Sequence, residues 1–365
     1  MQTSIPTFVF ASGGTGGHLF PALAIAEELR KQLVNARIVF VGTKEKIEAR
    51  VVPQHGYEFK AIWISGFHRS VRFSNVLFPL KVVVSLVQSF FLIRSLKPSV
   101  VVGTGGYVCG PIGFIASLLG IPLVLHESNS YPGVTTRLLA GRAQTVFIAF
   151  DATRKWILKA RDIQTIGTPV RRSLFGASRE EAFRFFNLDP SKPTVLIVGG
   201  SLGASSINNA LMEIAHELER ARIQLIWQSG APDYERLRQK FKDSTLIWIG
   251  AFIDRMELAY AAADIVVCRA GATTIAEITA LGKPAILVPY PHAAADHQTV
   301  NARTLAEAGA AILITDNEVR QSLKQNITTL LNDGRKRKEM SEASMKLGRS
   351  DASERIVSKI RELQR

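Results

Sequence analysis

Short apolar runs alternate along this chain with longer stretches of helical periodicity. In the first half, residues 5–10, 37–41, 100–102, 123–126 and 145–149 are β-branched or aromatic runs of strand length. In the second half, residues 195–198, 224–228, 245–249, 265–268, 285–288 and 311–314 repeat the scheme. Alternation of such runs with helices predicts parallel sheets covered by helices on both faces. The pattern therefore reads as two α/β units, joined near Thr168-Pro169-Val170-Arg171. Ligands of open parallel sheets sit beyond the carboxyl ends of the strands. Chemistry is thus expected in the loop residues just after each run.

Three runs end in glycine turns. The first leads into Gly13-Gly14-Thr15-Gly16-Gly17-His18, followed by a helical pattern over residues 19–29 with Pro21 in its first turn. The run at 100–102 leads into Gly103-Thr104-Gly105-Gly106-Tyr107, and that at 194–198 into Gly199-Gly200-Ser201-Leu202-Gly203-Ala204. A strand, a glycine turn and a helix start expose backbone amides at the positive end of a helix dipole, which suits phosphate or diphosphate. One such turn reads equally well as a tight connection needing positive φ. Three of them, two opening the two halves, point to phosphate handling.

The spacing excludes the commonest nucleotide folds. Leu19 stands where a dinucleotide fingerprint needs its third glycine, and the strand at 37–41 runs into Gly42-Thr43 with no carboxylate for a ribose. No glycine turn is followed by Lys-Ser or Lys-Thr, so a P-loop is excluded as well. Three further loops fall at strand ends: His126-Glu127-Ser128-Asn129, Arg269-Ala270-Gly271-Ala272 and Pro289-Tyr290-Pro291-His292.

Composition narrows the picture. At 365 residues and 47% hydrophobic content the chain suits two cores. Its two cysteines, Cys109 and Cys268, lie in different halves, which argues against a disulfide framework or a metal cluster and for small core residues. No basic region precedes the first apolar run, so no signal peptide and a cytoplasmic location are expected. The formal charge of +14 is uneven: residues 1–165 hold 18 basic and 8 acidic residues, a net of +10. Between Glu58 and Glu127 there is no acidic residue, while Lys60, Arg69, Arg72, Lys81, Arg94 and Lys97 fall there. That stretch also carries apolar residues at 73–80 and 82–93, broken by Ser85, Gln88 and Ser89. Its unbroken apolar pieces are shorter than the ~20 residues that span a bilayer. A basic and apolar face fits peripheral contact with an anionic membrane surface; the other reading is a buried helix of the first core. Nucleic acid is not expected, because no recognition motif accompanies the charge.

The motifs G-G-T-G-G-H at 13–18, G-T-G-G-Y at 103–107, H-E-S-N at 126–129, G-T-P-V-R at 167–171, G-G-S-L-G-A at 199–204 and D-H-Q-T-V-N-A at 296–302 together resemble the MurG family of peptidoglycan glycosyltransferases. The resemblance runs in order from about residue 8 to about residue 310. It implies the GT-B architecture, two Rossmann-like parallel-sheet domains facing a central cleft. It implies an acceptor-binding, membrane-contacting domain over 1–168, a UDP-sugar domain over 169–345, and a C-terminal helix over 346–365 packing back on the first. The implied reaction moves N-acetylglucosamine from UDP-N-acetylglucosamine to lipid I, an undecaprenyl-diphosphate-linked muramoyl-pentapeptide, giving lipid II with inversion. The implied setting is the cytoplasmic face of the cell membrane, alongside other cell-wall synthesis proteins.

Carried over by position, the resemblance puts Thr15, Gly16, Gly17 and Asn129 on the donor-sugar side and Gly13, Gly14, Thr104, Gly105, Gly106 and Tyr107 at the acceptor diphosphate. Arg171 and Ser201 would bind the donor diphosphate, Ile253 would lie against uracil, and Ala272, Thr273, Thr274, Ile275, Ala276 and Glu277 would hold the nucleotide. Glu277 would take the ribose hydroxyls, and Gln298 the sugar. Ser128 departs from the family's usual H-E-Q-N. An inverting displacement needs a general base and a stabilised leaving group. His18 and Glu127 are the two candidates for the base, and no metal or cofactor is expected. Three rivals share parts of this pattern: a diacylglycerol glycosyltransferase, a UDP-N-acetylglucosamine epimerase, and a non-catalytic nucleotide-sugar-binding module.

Overall fold

The computed structural model describes residues 5–66, 77–200, 203–293 and 296–364. Ser201, Arg69, Arg72 and Phe73 lie outside the described residues. The chain forms two compact units, the first of Met1–Arg171 with Ser350–Arg365 and the second of Arg172–Arg349. Both breaks fall a few residues later than the sequence boundaries at 168 and 345.

In the first unit, strands β1 (Thr7–Ala11), β2 (Arg37–Gly42), β3 (Glu58–Ala61), β4 (Val100–Gly103), β5 (Leu123–Glu127), β6 (Thr145–Ile148) and β7 (Ile163–Thr165) form a seven-stranded sheet in the order β3-β2-β1-β4-β5-β6-β7. All pairings are parallel. Because helices cover both faces, β1 is buried at every position: Phe8 and Phe10 enter one core, Val9 and Ala11 the other. The strand order reverses at β1 and β4, the point where such sheets open a crevice for ligands. The first two glycine turns leave those two strands.

The second unit repeats the plan with β8 (Thr194–Val198), β9 (Gln224–Gln228), β10 (Ile247–Gly250), β11 (Ile265–Cys268), β12 (Ala285–Leu287) and β13 (Ala311–Leu313). Its six-stranded parallel sheet has the order β10-β9-β8-β11-β12-β13. Here the reversal lies between β8, which leads into the turn at 199–204, and β11, which leads into Arg269-Ala270-Gly271. The C-terminal helix Ala352–Leu363 belongs to the first unit, where Ile356, Val357 and Ile360 join the core around Leu19 and Leu29.

Two helices depart from their sequence reading. The helix after the first turn begins at Gly16, because the amides of His18 and Leu19 already bond to the Thr15 carbonyl at 3.2 Å. His18 therefore lies in its first turn and Pro21 inside the helix. The helix Phe78–Leu96 is 19 residues long with a mean hydropathy of 1.5, enough by length and composition to cross a membrane, and only 22% of it is buried. Its inward stripe is Ser85, Ser89, Ile93 and Leu96. The serine hydroxyls bond back to the carbonyls of Val82 (2.8 Å) and Ser85 (2.6 Å), so they pack without an orphaned group. The outward face carries Leu80, Val83, Val87 and Phe91, with exposures of 52, 58, 50 and 65%. Two of the polar breaks, Ser85 and Ser89, thus face inward with Ile93 and Leu96, while Gln88 and much of the apolar run face out.

Candidate functional site

In the first unit the two glycine turns interlock around His18. Its Nδ1 donates to the Thr104 carbonyl at 3.1 Å, and Thr104 Oγ1 donates to the His18 carbonyl at 2.8 Å. The imidazole sits on Gly105, where an added Cβ would come within 2.5 Å of Nδ1. At Gly106, with φ of 81°, a Cβ would meet the Gly13 carbonyl at 2.2 Å. Only glycine allows the two turns to approach this closely. Thr15 and Gly17 are exposed at the helix start, Gly16 is buried, and the half-buried Tyr107 lays its ring against Gly14.

Glu48, which sequence reasoning missed, props the first turn from below. Its buried carboxylate accepts the Gly14 amide at 3.2 Å, the Thr43 amide at 3.1 Å and the Thr43 hydroxyl at 2.9 Å. The Gly14 N–H is thus directed into the protein, so it does not point at a ligand.

The loop after β5 is built around Glu127. This buried carboxylate accepts four hydrogen bonds: from the amide (3.1 Å) and Nδ2 (3.0 Å) of Asn129, from the Gly133 amide (3.0 Å) and from Thr136 Oγ1 (2.7 Å). It sets Asn129 in place and ties down the start of the helix Val134–Leu139. Beside it, His126 Nε2 donates to the Gly167 carbonyl at 3.0 Å and Nδ1 faces Ser128 Oγ at 3.4 Å. Burial holds this imidazole below its ordinary range, so it stays neutral, with Nδ1 as the acceptor for the serine hydroxyl. Arg171, four residues beyond Gly167, is buried with its guanidinium 4.5 Å from the ring centre of Phe20, on the His18 helix.

The second unit gathers its predicted residues at the ends of β8 to β12. The turn after β8 has positive φ at Gly200 (89°) and Gly203 (80°). A Cβ on Gly203 would lie 2.3 Å from the Ser229 carbonyl. Ile253 is buried and its amide donates to Gln228 Oε1 at 2.9 Å. The helix Ala272–Ala280 starts after Gly271; along it Ala272, Ile275 and Glu277 are buried, and Thr273, Thr274 and Ala276 half-buried. Glu277 Oε2 accepts the Tyr260 hydroxyl at 2.9 Å. Gln298 Oε1 accepts the Tyr290 amide at 3.0 Å, which holds the loop after β12.

Arg269 opens one of the strand-end loops noted in the sequence, which gave it no role of its own. Its Nη1 donates to the carbonyls of Val288 and Pro289, both at 3.1 Å, and to Asp316 Oδ1 at 2.6 Å; its Nη2 donates to Ser206 Oγ at 2.8 Å. The serine hydroxyl donates in turn to Asp316 at 2.6 Å. One guanidinium thereby fixes the start of the helix Ser205–Arg220 to the loops after β12 and β13. The signal lay in an arginine directly after a buried strand, where a lone cation requires partners.

Comparison with known proteins bears on the family and the fold. Residues 8–148 match the glycosyltransferase family 28 N-terminal domain, and residues 194–356 match the family 28 C-terminal domain. The UDP-N-acetylglucosamine–N-acetylmuramyl-(pentapeptide) pyrophosphoryl-undecaprenol N-acetylglucosamine transferase of Flavobacterium psychrophilum is 41% identical over 355 residues, covering 97% of this chain and 96% of that protein. The enzyme of the same name from Chlorobaculum tepidum is 43% identical over 358 residues, covering 96% and 98%. The crystal structure of Acinetobacter baumannii MurG superposes with a TM-score of 0.70 at 30% identity, covering 98% of this chain and 99% of that one. A S. aureus MnaA–UDP structure, at 17% identity and a TM-score of 0.69, shares the fold alone. With two parallel-sheet units of the GT-B type and near full-length identity to these transferases, the chain belongs to the MurG family of glycosyltransferases.

Proposed function

We propose that this chain transfers N-acetylglucosamine from UDP-N-acetylglucosamine to lipid I, forming lipid II with inversion at the anomeric carbon. Family membership supports the substrates, since relatives at 41 and 43% identity are named for this donor and acceptor. The first unit takes the acceptor and the second the nucleotide sugar.

The observation that carries the mechanism is the bond from His18 to Thr104. A carbonyl can only accept, so Nδ1 bears the proton and Nε2 of the neutral ring holds the lone pair. His18 is the general base: Nε2 takes the proton from the acceptor hydroxyl as its oxygen bonds to the anomeric carbon. The bond from that carbon to the UDP oxygen breaks, and its electron pair leaves with the diphosphate. Glu127 suits this task less well, because four donors already engage its oxygens. Its role is to hold Asn129 toward the sugar.

Arg171 and the turn at 199–204, with Ser201, neutralise the departing diphosphate, helped by the dipole of the helix Ser205–Arg220. Ile253 faces uracil, residues 272–277 hold the nucleotide with Glu277 on the ribose, and Gln298 contacts the sugar. The acceptor diphosphate lies at the paired turns of 13–14 and 104–107, with the Gly14 amide excluded as a donor because Glu48 holds it. The outward apolar face of the helix Phe78–Leu96 and the positive first half support peripheral attachment to anionic lipid at the cytoplasmic face.

The test is incubation of purified protein with radiolabelled UDP-N-acetylglucosamine and a short-chain lipid I analogue. Labelled disaccharide lipid and free UDP are expected. Transfer to diacylglycerol instead, or consumption of the donor with no lipid present, overturns the reading.

A further inference from the structure

The end of β9 connects the two loops that the donor reading uses. Gln228 is the last residue of that strand and is 2% exposed. In the sheet register it stands opposite Val198, the last residue of β8, and opposite Gly250, the last residue of β10. The loops leaving those strands are the turn at 199–204 and the segment that carries Ile253. The Gln228 side chain reaches both: Nε2 donates to the Gly200 carbonyl at 3.0 Å, and Oε1 accepts the Ile253 amide at 2.9 Å. Its orientation is unique, because the Gly200 oxygen can only accept and the Ile253 N–H can only donate. The same Gly200 carbonyl also accepts the Gly203 amide at 3.1 Å. Two donors therefore hold inward a carbonyl that would repel a diphosphate if it turned out. The next residue, Ser229, supplies the carbonyl against which Gly203 packs.

We propose that Gln228 is a positioning residue that couples the diphosphate turn to the uracil-facing loop, so that one buried amide sets both ends of the UDP site. The proposal rests on the donor reading above and deepens it. Gln228 acts through the backbone of Gly200 and Ile253, its donor and its acceptor being parts of one rigid amide. A ligand that engages only the uracil end depends on half of this link, and UDP depends on all of it.

Calorimetric binding of UDP and of uridine to the full-length protein tests the coupling, with every variant's melting temperature measured alongside. Gln228→Glu at pH 8 keeps the acceptor for Ile253 but presents a charged oxygen to the Gly200 carbonyl. UDP is expected to weaken ~10-fold or more and uridine less than ~3-fold. Relative to wild type at the same pH, UDP affinity should recover as the pH falls to 5.5, because a protonated carboxyl can again donate to Gly200. Gln228→Met lacks both bonds and should weaken both ligands at every pH, which provides the test if the glutamate variant does not fold. A wild-type ratio of UDP to uridine affinity in Gln228→Glu, equal weakening of both ligands without pH recovery, or unchanged affinities in Gln228→Met each overturn the proposal. Glu277→Ala separates the two levels. If it binds UDP like wild type, the donor reading fails and the coupling falls with it. If it loses UDP while the Gln228 variants do not, the donor reading stands and the coupling alone is removed.

Discussion

Tyr260 donates its hydroxyl to Glu277 Oε2 at 2.9 Å, which fixes a buried carboxylate in the turn of helix assigned to the nucleotide ribose. Glu277→Ala is expected to raise the donor KM ~10–100-fold, corresponding to loss of hydrogen bonds to a charged group. Tyr260→Phe should raise it less, ~3–10-fold, by releasing the carboxylate from its set position. Steady-state kinetics with donor and acceptor varied separately check both. A change falling mainly on the acceptor KM would contradict the assignment of the donor to the second unit.

His18→Ala should lower kcat by ~10²–10⁴ while UDP binds as before, the signature of a lost general base. Glu127→Gln makes the contrast. Its new NH₂ would face N–H or O–H groups that now donate to a carboxylate, so about 1–3 kcal/mol of stability should be lost. Thermal unfolding of the two variants beside their kcat separates a chemical role from a structural one. A His18 variant that melts early and keeps its kcat would reverse the two assignments.

The buried His126 makes stability pH-dependent. Burial keeps its pKa in the fold below the ordinary histidine value of about 6.5. Below that value the unfolded chain binds a proton that the folded chain does not, so stability rises with pH through this window. The contribution is complete above about pH 6.5 and is lost progressively as the pH falls below it. His126→Gln should flatten the fall in melting temperature between pH 7.5 and 5. An equally steep fall in the variant would assign the dependence to other groups.

The fold was legible where a signal is local. Buried parallel strands announce themselves as apolar runs, and glycine turns followed by helix starts mark the reversal points of both sheets. Strands β3 and β7 escaped because neither is a continuous apolar run. Glu58-Phe59-Lys60-Ala61 carries charges that an outer strand can expose, with Glu58 paired to Arg37 and Lys60, so no apolar run forms. The residues that support the site were hidden for a different reason. Glu48 meets Gly14 from 34 positions away, Gln228 meets Gly200 from 28, and Arg269 meets Asp316 from 47. Contacts distant in sequence bring them together, and the local sequence marks only Arg269, as a cation directly after a buried strand. Ser85 and Ser89 misled in the opposite sense: they look like interruptions of an apolar face and are its inward packing stripe.

That inverted helix supplies the last prediction. Leu80, Val87 and Phe91 are at least half exposed, so replacing all three by serine removes little from the core of the first unit. The melting temperature should change by no more than a few degrees. If the face rests in lipid, each side chain instead gives up a large part of the ~1.5–3 kcal/mol that burial of such a residue provides. Flotation with vesicles containing anionic lipid should then show binding weakened by ~10²-fold or more. High salt should weaken the wild-type protein further than the variant in absolute terms, since basic residues act together with the apolar face and the Debye length falls to ~3 Å at 1 M. Transfer to a water-soluble acceptor analogue should survive, because the helix contributes none of the residues assigned to the chemistry. A variant that floats like wild type would remove the membrane role from this face, and one that melts early would return it to the core.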